Sequence, residues 1–130
     1  MTKRLRTVEN LDALSTTMSK IEISEKAERL NDLVINVADE TLKQIFKEEG
    51  TRAIYDYLEN NSHLKREEIG GKPKVFSAGL ERLLGSAAPV IENLILKNLH
   101  AKLGLKFREK KGYGFSDYVK ELRESAVVEG

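Results

Sequence analysis

The apolar and polar residues alternate with a helical period along most of the chain, and the most apolar stretch is residues 89–103. Pro89 suits the first position of a helix and Gly104 the residue that follows its end. At ~100° per residue, the apolar side chains of this stretch cover about two-thirds of the helix circumference. A surface helix carries one apolar stripe, so this helix is predicted to be buried at the centre of a bundle, with Leu94, Ile95 and Leu99 in the core.

A second strong helical pattern covers residues 25–49, with Asp39 among the polar residues opposite its apolar face. The period is nearer 3.6 than 3.5, which favours packing on a globular core over a long coiled coil. This apolar face is wider than one small domain requires, which predicts that it also serves self-association. The residues assigned to that surface are Leu30, Leu33, Val34 and Val37.

Shorter elements follow. Gly50 is predicted to end the helix or to mark a bend, and Thr51 is a candidate cap for the next helix. Residues 64–69 fit a single helical turn, and residues 70–73 fit a loop. An apolar stripe over residues 75–84 then predicts a short helix.

After Gly104, residues 106–114 are predicted to form a loop or a short hairpin, and Ser116 is a plausible cap for a last helix. The fold is therefore expected to be all-α, a single-domain bundle of four to six helices around a central buried helix at 89–103. Residues 1–24 are expected to be an N-terminal arm or weak helix, 25–124 the helical domain, and 125–130 a frayed tail.

The composition excludes several classes of protein. The chain of 130 residues contains no cysteine, which excludes disulfides, thiolate metal sites and a cysteine nucleophile. The charged N-terminus is not followed by an apolar run, and no window approaches the ~18 apolar residues that a membrane-spanning helix needs. We therefore expect a cytoplasmic protein without a membrane segment.

Charge is nearly balanced overall, at +1, but unevenly distributed. Residues 21–50 carry eight acidic and four basic side chains, whereas residues 97–111 carry six basic side chains against Glu109 alone. A basic stretch with exposed rings can bind nucleic acid through phosphates and base stacking. Alternatively it pairs with the acidic helix of its own or a neighbouring chain, which a net charge near zero favours. The candidate residues for an anionic partner are Lys97, Lys102, Lys106, Arg108, Lys110, Lys111 and Tyr113.

Residues 111–118, Lys-Gly-Tyr-Gly-Phe-Ser-Asp-Tyr, fit the octamer of RNA-recognition modules at every position except the sixth. In that module the octamer is a strand whose rings stack on bases. The preceding residues have a helical period and offer no partner strand. We therefore interpret the octamer as a loop whose Phe115 packs back on the core.

No catalytic, cofactor or metal site is predicted. His63 and His100 lie in different segments without a carboxylate cluster beside either, so both are interpreted as surface or edge residues. Glu67 and Glu68 are interpreted as a solvated pair. An enzyme is disfavoured because no nucleophile–base or metal constellation is present in the pattern.

Three segments, residues 42–58, 72–85 and 89–96, resemble a small archaeal family, the Nitrosopumilus output domains. The resemblance rests on apolar spacing together with Gly50, Gly85 and the Ala-Ile-Tyr motif at 53–55. It implies a stand-alone or appended module in signal transduction, and it assigns no functional residues. Residues 1–40 lie outside it.

Together these observations predict a non-enzymatic interaction or output module in regulation or signal transduction. It is expected to form a homodimer, to need no cofactor, and to be able to bind a protein partner. The alternative is a nucleic-acid-binding protein that uses the basic loop 97–111.

Overall fold

The computed structural model describes the backbone of residues 10–129 and the side chains of residues 27–125. Within that part every regular element is helical. The elements are α1 (Asn10–Ser62), a 3-10 turn (Arg66–Glu68), α2 (Pro73–Leu84), α3 (Ala87–Lys102) and α4 (Phe115–Glu129). Each α-helix packs against the other three. The predicted all-α bundle is therefore confirmed, and none of these helices is long and apolar enough to cross a membrane.

α1 consists of two helical segments, 10–46 and 48–62, that meet at Lys47, where φ is 64° and ψ is −176°. The two segments fold back on each other. This is shown by the Tyr55 hydroxyl, which donates a hydrogen bond to Asp39 at 2.7 Å. Sixteen residues of straight helix would place these two side chains about 24 Å apart along the axis. The bend was predicted at Gly50, which instead lies inside the second segment. A Cβ there would approach the Phe46 Cβ to 2.8 Å, so Gly50 makes room for the bend.

Two predicted caps are wrong. The Thr51 hydroxyl is buried and has no hydrogen-bond partner. Ser116 lies inside α4, and the carboxylate of Asp117 accepts a hydrogen bond from the Gly114 N–H at 2.8 Å instead. An acidic side chain suits this position because the first N–H groups of a helix lack intrahelical partners.

Helices extend to both ends of the described chain. α1 already includes residues 10–24, which were predicted to be an arm or weak helix, and α4 continues to Glu129 where a frayed tail was expected from residue 125. Residues 1–9 of the predicted arm, and Gly130 of the tail, lie outside the described part.

The end of α3 follows the sequence closely. Gly104 has a φ of 73°, which glycine adopts without a Cβ penalty. Its N–H donates to the Ala101 carbonyl, and the Leu105 N–H donates to the His100 carbonyl at 2.8 Å. This pair of bonds is a Schellman motif, and it satisfies two carbonyls that the helix leaves open.

One hydrophobic core draws on all four helices. Its largest fully buried side chains include Leu42 and Leu58 of α1, Phe76 of α2, and Ile95 and Leu99 of α3. The prediction that Ile95 and Leu99 are core residues is confirmed. Phe115 also packs back on the core as predicted, with its ring 5.6 Å from that of Phe76.

α4 closes the bundle against α1 through Arg123. Its guanidinium donates to the side-chain oxygen of Asn31 at 2.5 Å and to the Gly70 carbonyl at 2.7 Å. The backbone at Gly70 lies directly on α1, since a Cβ there would come within 2.4 Å of the Asn31 carbonyl oxygen. Residue 70 must therefore be glycine for the loop to lie this close.

Candidate interaction surface

α3 is buried on one side only. Its inner face carries Ile95 and Leu99, which are fully buried, whereas Val90 is 70% exposed and Leu94 is 37% exposed. We call the exposed side the outer face of α3. Its residues recur every three or four positions and are Ala87, Val90, Leu94, Lys97 and Ala101. The predictions that this helix is surrounded and that Leu94 is a core residue are wrong, because α1, α2 and α4 cover only the inner face and its edges.

One edge of the outer face adjoins α1. The amide of Asn98 donates to the Thr41 hydroxyl at 3.0 Å, and the Lys102 ammonium lies 3.8 Å from the Glu40 carboxylate. At the other edge, the amide of Asn93 donates to Glu109 at 3.3 Å. The N-terminal half of the outer face therefore adjoins the carboxylate of Glu109, and its C-terminal half carries Lys97.

The residues predicted for self-association lie elsewhere. Leu30, Val34 and Val37 belong to the core of the chain itself, with exposures of at most 5%, and Leu33 is half-buried against that core. The second segment of α1 and the other helices pack against the wide apolar face that the sequence predicts for residues 25–49. These residues therefore form no exposed surface in the folded chain.

The basic stretch divides into two groups. Lys102 pairs with Glu40, which is the contact with the acidic helix that the sequence suggested, and Lys110 pairs with Glu121 of α4 at 2.5 Å. Among the described side chains, the remaining four basic residues form no ion pair and are exposed. They are Lys97, Lys106, Arg108 and Lys111.

Lys110 and Tyr113 are held in place by α4. The Lys110 ammonium binds Glu121 and lies 5.3 Å from the centre of the Tyr113 ring. The hydrogen bond raises the pKa of Lys110 and lowers the pKa of Glu121. The Lys110 N–H also donates to the Tyr118 hydroxyl, whose ring is 5.0 Å from that of Tyr113. These contacts stabilise the loop, although the Tyr113 ring is 41% exposed and the Lys110 side chain 46% exposed.

Of the two histidines, His63 is exposed as predicted but His100 is buried. The His100 Nδ1 lies 2.7 Å from the Leu96 carbonyl oxygen, which can only accept, so Nδ1 carries the proton. Its ring packs against Phe107 at 5.1 Å, and Phe107 packs against Tyr118 at 5.2 Å. Phe107 is therefore engaged with the core and is not free to stack on a base.

A cavity of about 320 Å³ lies between α2, α3, α4 and the loop before α4. Glu92 lines it, is 7% exposed, and accepts a hydrogen bond from the Ser77 hydroxyl at 2.7 Å. Burial raises the pKa of Glu92 above its ordinary value. The hydrogen bond from Ser77 lowers the pKa and offsets part of this rise, whereas the negative charge of Glu81 raises the pKa further. The sequence analysis missed this residue. The available signal was its spacing, since Glu92 falls in line with Ala88 and Leu99 on the inner face.

The second residue that was missed is Asp39, which the helical pattern placed on the polar face. It is 7% exposed and binds the Tyr55 hydroxyl, the Lys43 ammonium at 3.0 Å and the Arg66 guanidinium at 3.5 Å. Burial alone raises the pKa of Asp39, but these three partners outweigh it and lower the pKa below its ordinary value. The cluster joins the two segments of α1 to the 3-10 turn, so its role is to hold the bend.

No group of three or more His, Asp or Glu side chains in the described part of the chain could hold a metal ion. No family model, curated protein or solved structure matches the chain. The function is therefore argued from the surface of the molecule.

Proposed function

We propose that the chain is a non-enzymatic interaction module in regulation or signal transduction, and that it forms a homodimer through the outer face of α3. The observation that carries this proposal is the 70% exposure of Val90, the most exposed large apolar side chain among those described. Leu94 lies one turn further along the same face. Apolar side chains grouped on an ordered helix, beside polar residues, are typical of a protein-binding surface.

The charges beside this face favour a second copy of the chain as its partner. Glu109 adjoins the N-terminal half through Asn93, while Lys97, which forms no ion pair among the described side chains, lies in the C-terminal half. A two-fold axis near Leu94 would pair the two α3 helices antiparallel. It would place Lys97 of each chain beside Glu109 of the other, which is the complementarity that fixes register in an isologous interface.

The resemblance of residues 42–105 to the archaeal output domains implies a role in signal transduction, and that role is part of this proposal. A cytoplasmic location and the ability to bind a further protein partner belong to the same proposal. The proposed function requires no cofactor.

Sedimentation equilibrium at tens of micromolar tests the homodimer. When purified without unfolding, the wild-type chain is expected to sediment as a dimer. Val90→Asp or Leu94→Asp is expected to yield a monomer in the same conditions, because each would place a charge at the centre of an apolar contact. The matched control is Val75→Asp, which changes a 38%-exposed valine on α2 and should leave the dimer intact. A wild-type monomer throughout this range, or equal effects of all three variants, would contradict the proposal.

Nucleic-acid binding is the second candidate, favoured by the exposure of Lys106, Arg108 and Lys111 on one loop. If it is correct, the fluorescence anisotropy of a labelled single-stranded oligonucleotide will rise with protein concentration, and the affinity will fall steeply with salt. Lys106→Glu combined with Arg108→Glu should abolish binding, whereas Lys74→Glu on α2 should not. Lys110 is unsuitable for this test because its loss would also break the contact with Glu121. Absence of binding at low salt would exclude this candidate.

A further inference from the structure

The bend in α1 has an unusual backbone conformation. The φ of 64° and ψ of −176° at Lys47 fall in a region of backbone space that is occupied almost only by glycine. A side chain there clashes with its own backbone, so the surrounding structure must hold Lys47 in place. The bent form of α1 therefore contains local strain.

The residues on either side of Lys47 do not end the helix. Residues 44–49 are Gln-Ile-Phe-Lys-Glu-Glu, which include no proline or glycine, and Gln, Lys and Glu are strong helix formers; the nearest residue that disfavours a helix is Gly50, three positions later. Local propensity therefore favours a continuous α1, whereas the fold requires a bend. Such a disagreement between local preference and global fold is a local source of frustration.

The contacts that hold the bend all join the first segment of α1 to later parts of the chain. Asp39 binds Tyr55 and Arg66, and Asn31 binds Arg123 and lies against Gly70. The apolar side chains of the first segment, among them Val34 and Leu42, belong to the core that later helices complete. All of these contacts could be made equally well with the later part of a second copy.

We propose that two copies of this chain exchange the first segment of α1 and form a domain-swapped dimer. Lys47 becomes helical in each chain, and α1 becomes one continuous helix. Each first segment then packs on residues 48–125 of the partner, so the core contacts are conserved and the strain at two lysines is released. Exchange of an identical element between protomers is a low-cost route to a dimer when the hinge is strained.

Two substitutions at the hinge test the role of strain. Lys47→Gly accepts the bent conformation and weakens a continuous helix, whereas Lys47→Ala removes the same side chain but keeps the strain and the helical preference. After refolding at high protein concentration, size-exclusion chromatography with light scattering should show a dimer–monomer ratio at least tenfold lower for Lys47→Gly than for Lys47→Ala. Equal ratios, or no dimer of the Lys47→Ala variant, would overturn the proposal.

A distance measurement distinguishes exchange from surface contact. The chain has no cysteine, so Asn36→Cys with Glu59→Cys gives spin labels only at two exposed positions, one on each segment of α1. When α1 is bent, these positions lie on neighbouring packed helices whose axes are about 8–10 Å apart. When α1 is straight, they are about 35 Å apart along one helix. Doubly labelled chains are refolded with excess unlabelled chain, so that only distances within a chain are measured. The dimer fraction should show the long distance, and a short distance in that fraction would overturn the proposal.

This inference is independent of the outer face of α3. The hinge variants are therefore measured both alone and combined with Val90→Asp, which removes the dimer proposed above. An exchanged dimer should persist in the Val90→Asp background and should dissociate slowly on dilution, because separation requires the core to open. Loss of every dimer in that background would overturn domain exchange without affecting the surface dimer.

Discussion

The inner and outer faces of α3 carry similar apolar residues but lie in opposite surroundings. Ile95 and Leu99 on the inner face are completely buried, whereas Val90 and Leu94 on the outer face contact solvent. Both faces contribute to the same apolar run in the sequence, which predicted a helix buried on all sides. Apolar character therefore identifies surfaces that need a partner, and the partner can be the chain's own core or another molecule.

The largest expected effect is a difference in unfolding free energy between substitutions on the two faces. Leu99→Ala should lower the free energy of unfolding by roughly 2–5 kcal/mol, because it opens a cavity among fully buried side chains. Leu94→Ala removes the same atoms from the outer face and should cost less than about 1 kcal/mol in the monomer. Urea unfolding of both variants at a concentration where the chain is monomeric measures the contrast. Equal losses would mean that the outer face is also covered within one chain.

The second expected effect concerns the one carboxyl group on the inner face. The pKa of Glu92 is raised above 4.5, so the stability contributed by its protonated form is complete below that pH and is lost as the pH rises through the raised value. Glu92→Gln cannot titrate and still accepts the hydrogen bond from Ser77. The variant should therefore be more stable than the wild type near neutral pH, and its advantage should shrink in acid.

Urea unfolding at neutral pH and below pH 4.5 measures this difference. Glu59→Gln, at an exposed position of α1, is the matched control and should show no such dependence on pH. If Glu92→Gln is destabilising at neutral pH, the buried carboxylate has a stabilising partner in the cavity and the argument from burial is wrong.

The smallest expected effect is on the outer face itself. Val90→Asp should change the free energy of unfolding of the monomer by no more than about 0.5 kcal/mol, because the side chain is largely exposed. A negative charge near the N-terminus of α3 is also favoured by the helix dipole. The same variant is expected to lose the dimer that forms through this face. A large loss of monomer stability would show that Val90 is part of the fold rather than of an interface.

Some of this structure could be predicted because the deciding information is local. Gly104 ends α3 through its own positive φ, and the spacing of Ile95 and Leu99 along one helix indicates a shared buried face. The position of the bend could not be predicted, since Lys47 and its direct neighbours include no proline or glycine and the conformation depends on distant contacts such as Asp39 with Tyr55. Gly50 signalled a bend, but the bend occurs three residues earlier.

The candidate surface was only partly predictable for a related reason. The sequence pattern identifies apolar positions but not what covers them. The outer face of α3 was therefore assigned to the core, and Val34 of α1 was assigned to self-association. Which of two apolar faces remains open depends on how many helices reach it, and that is a property of tertiary packing. The exposure of four basic residues followed from their charge, whereas the engagement of Lys110 by Glu121 depends on where α4 lies.

The contact between Arg123 and Asn31 joins residues that are 92 positions apart in the chain. Synthesis proceeds at about 5–20 residues per second, so Asn31 leaves the ribosome roughly 5–18 s before its partner exists. Helices that form within microseconds must wait through that interval with part of their core faces uncovered. The apolar side of α1 is therefore covered in stages during synthesis, first by α2 and α3 and last by α4.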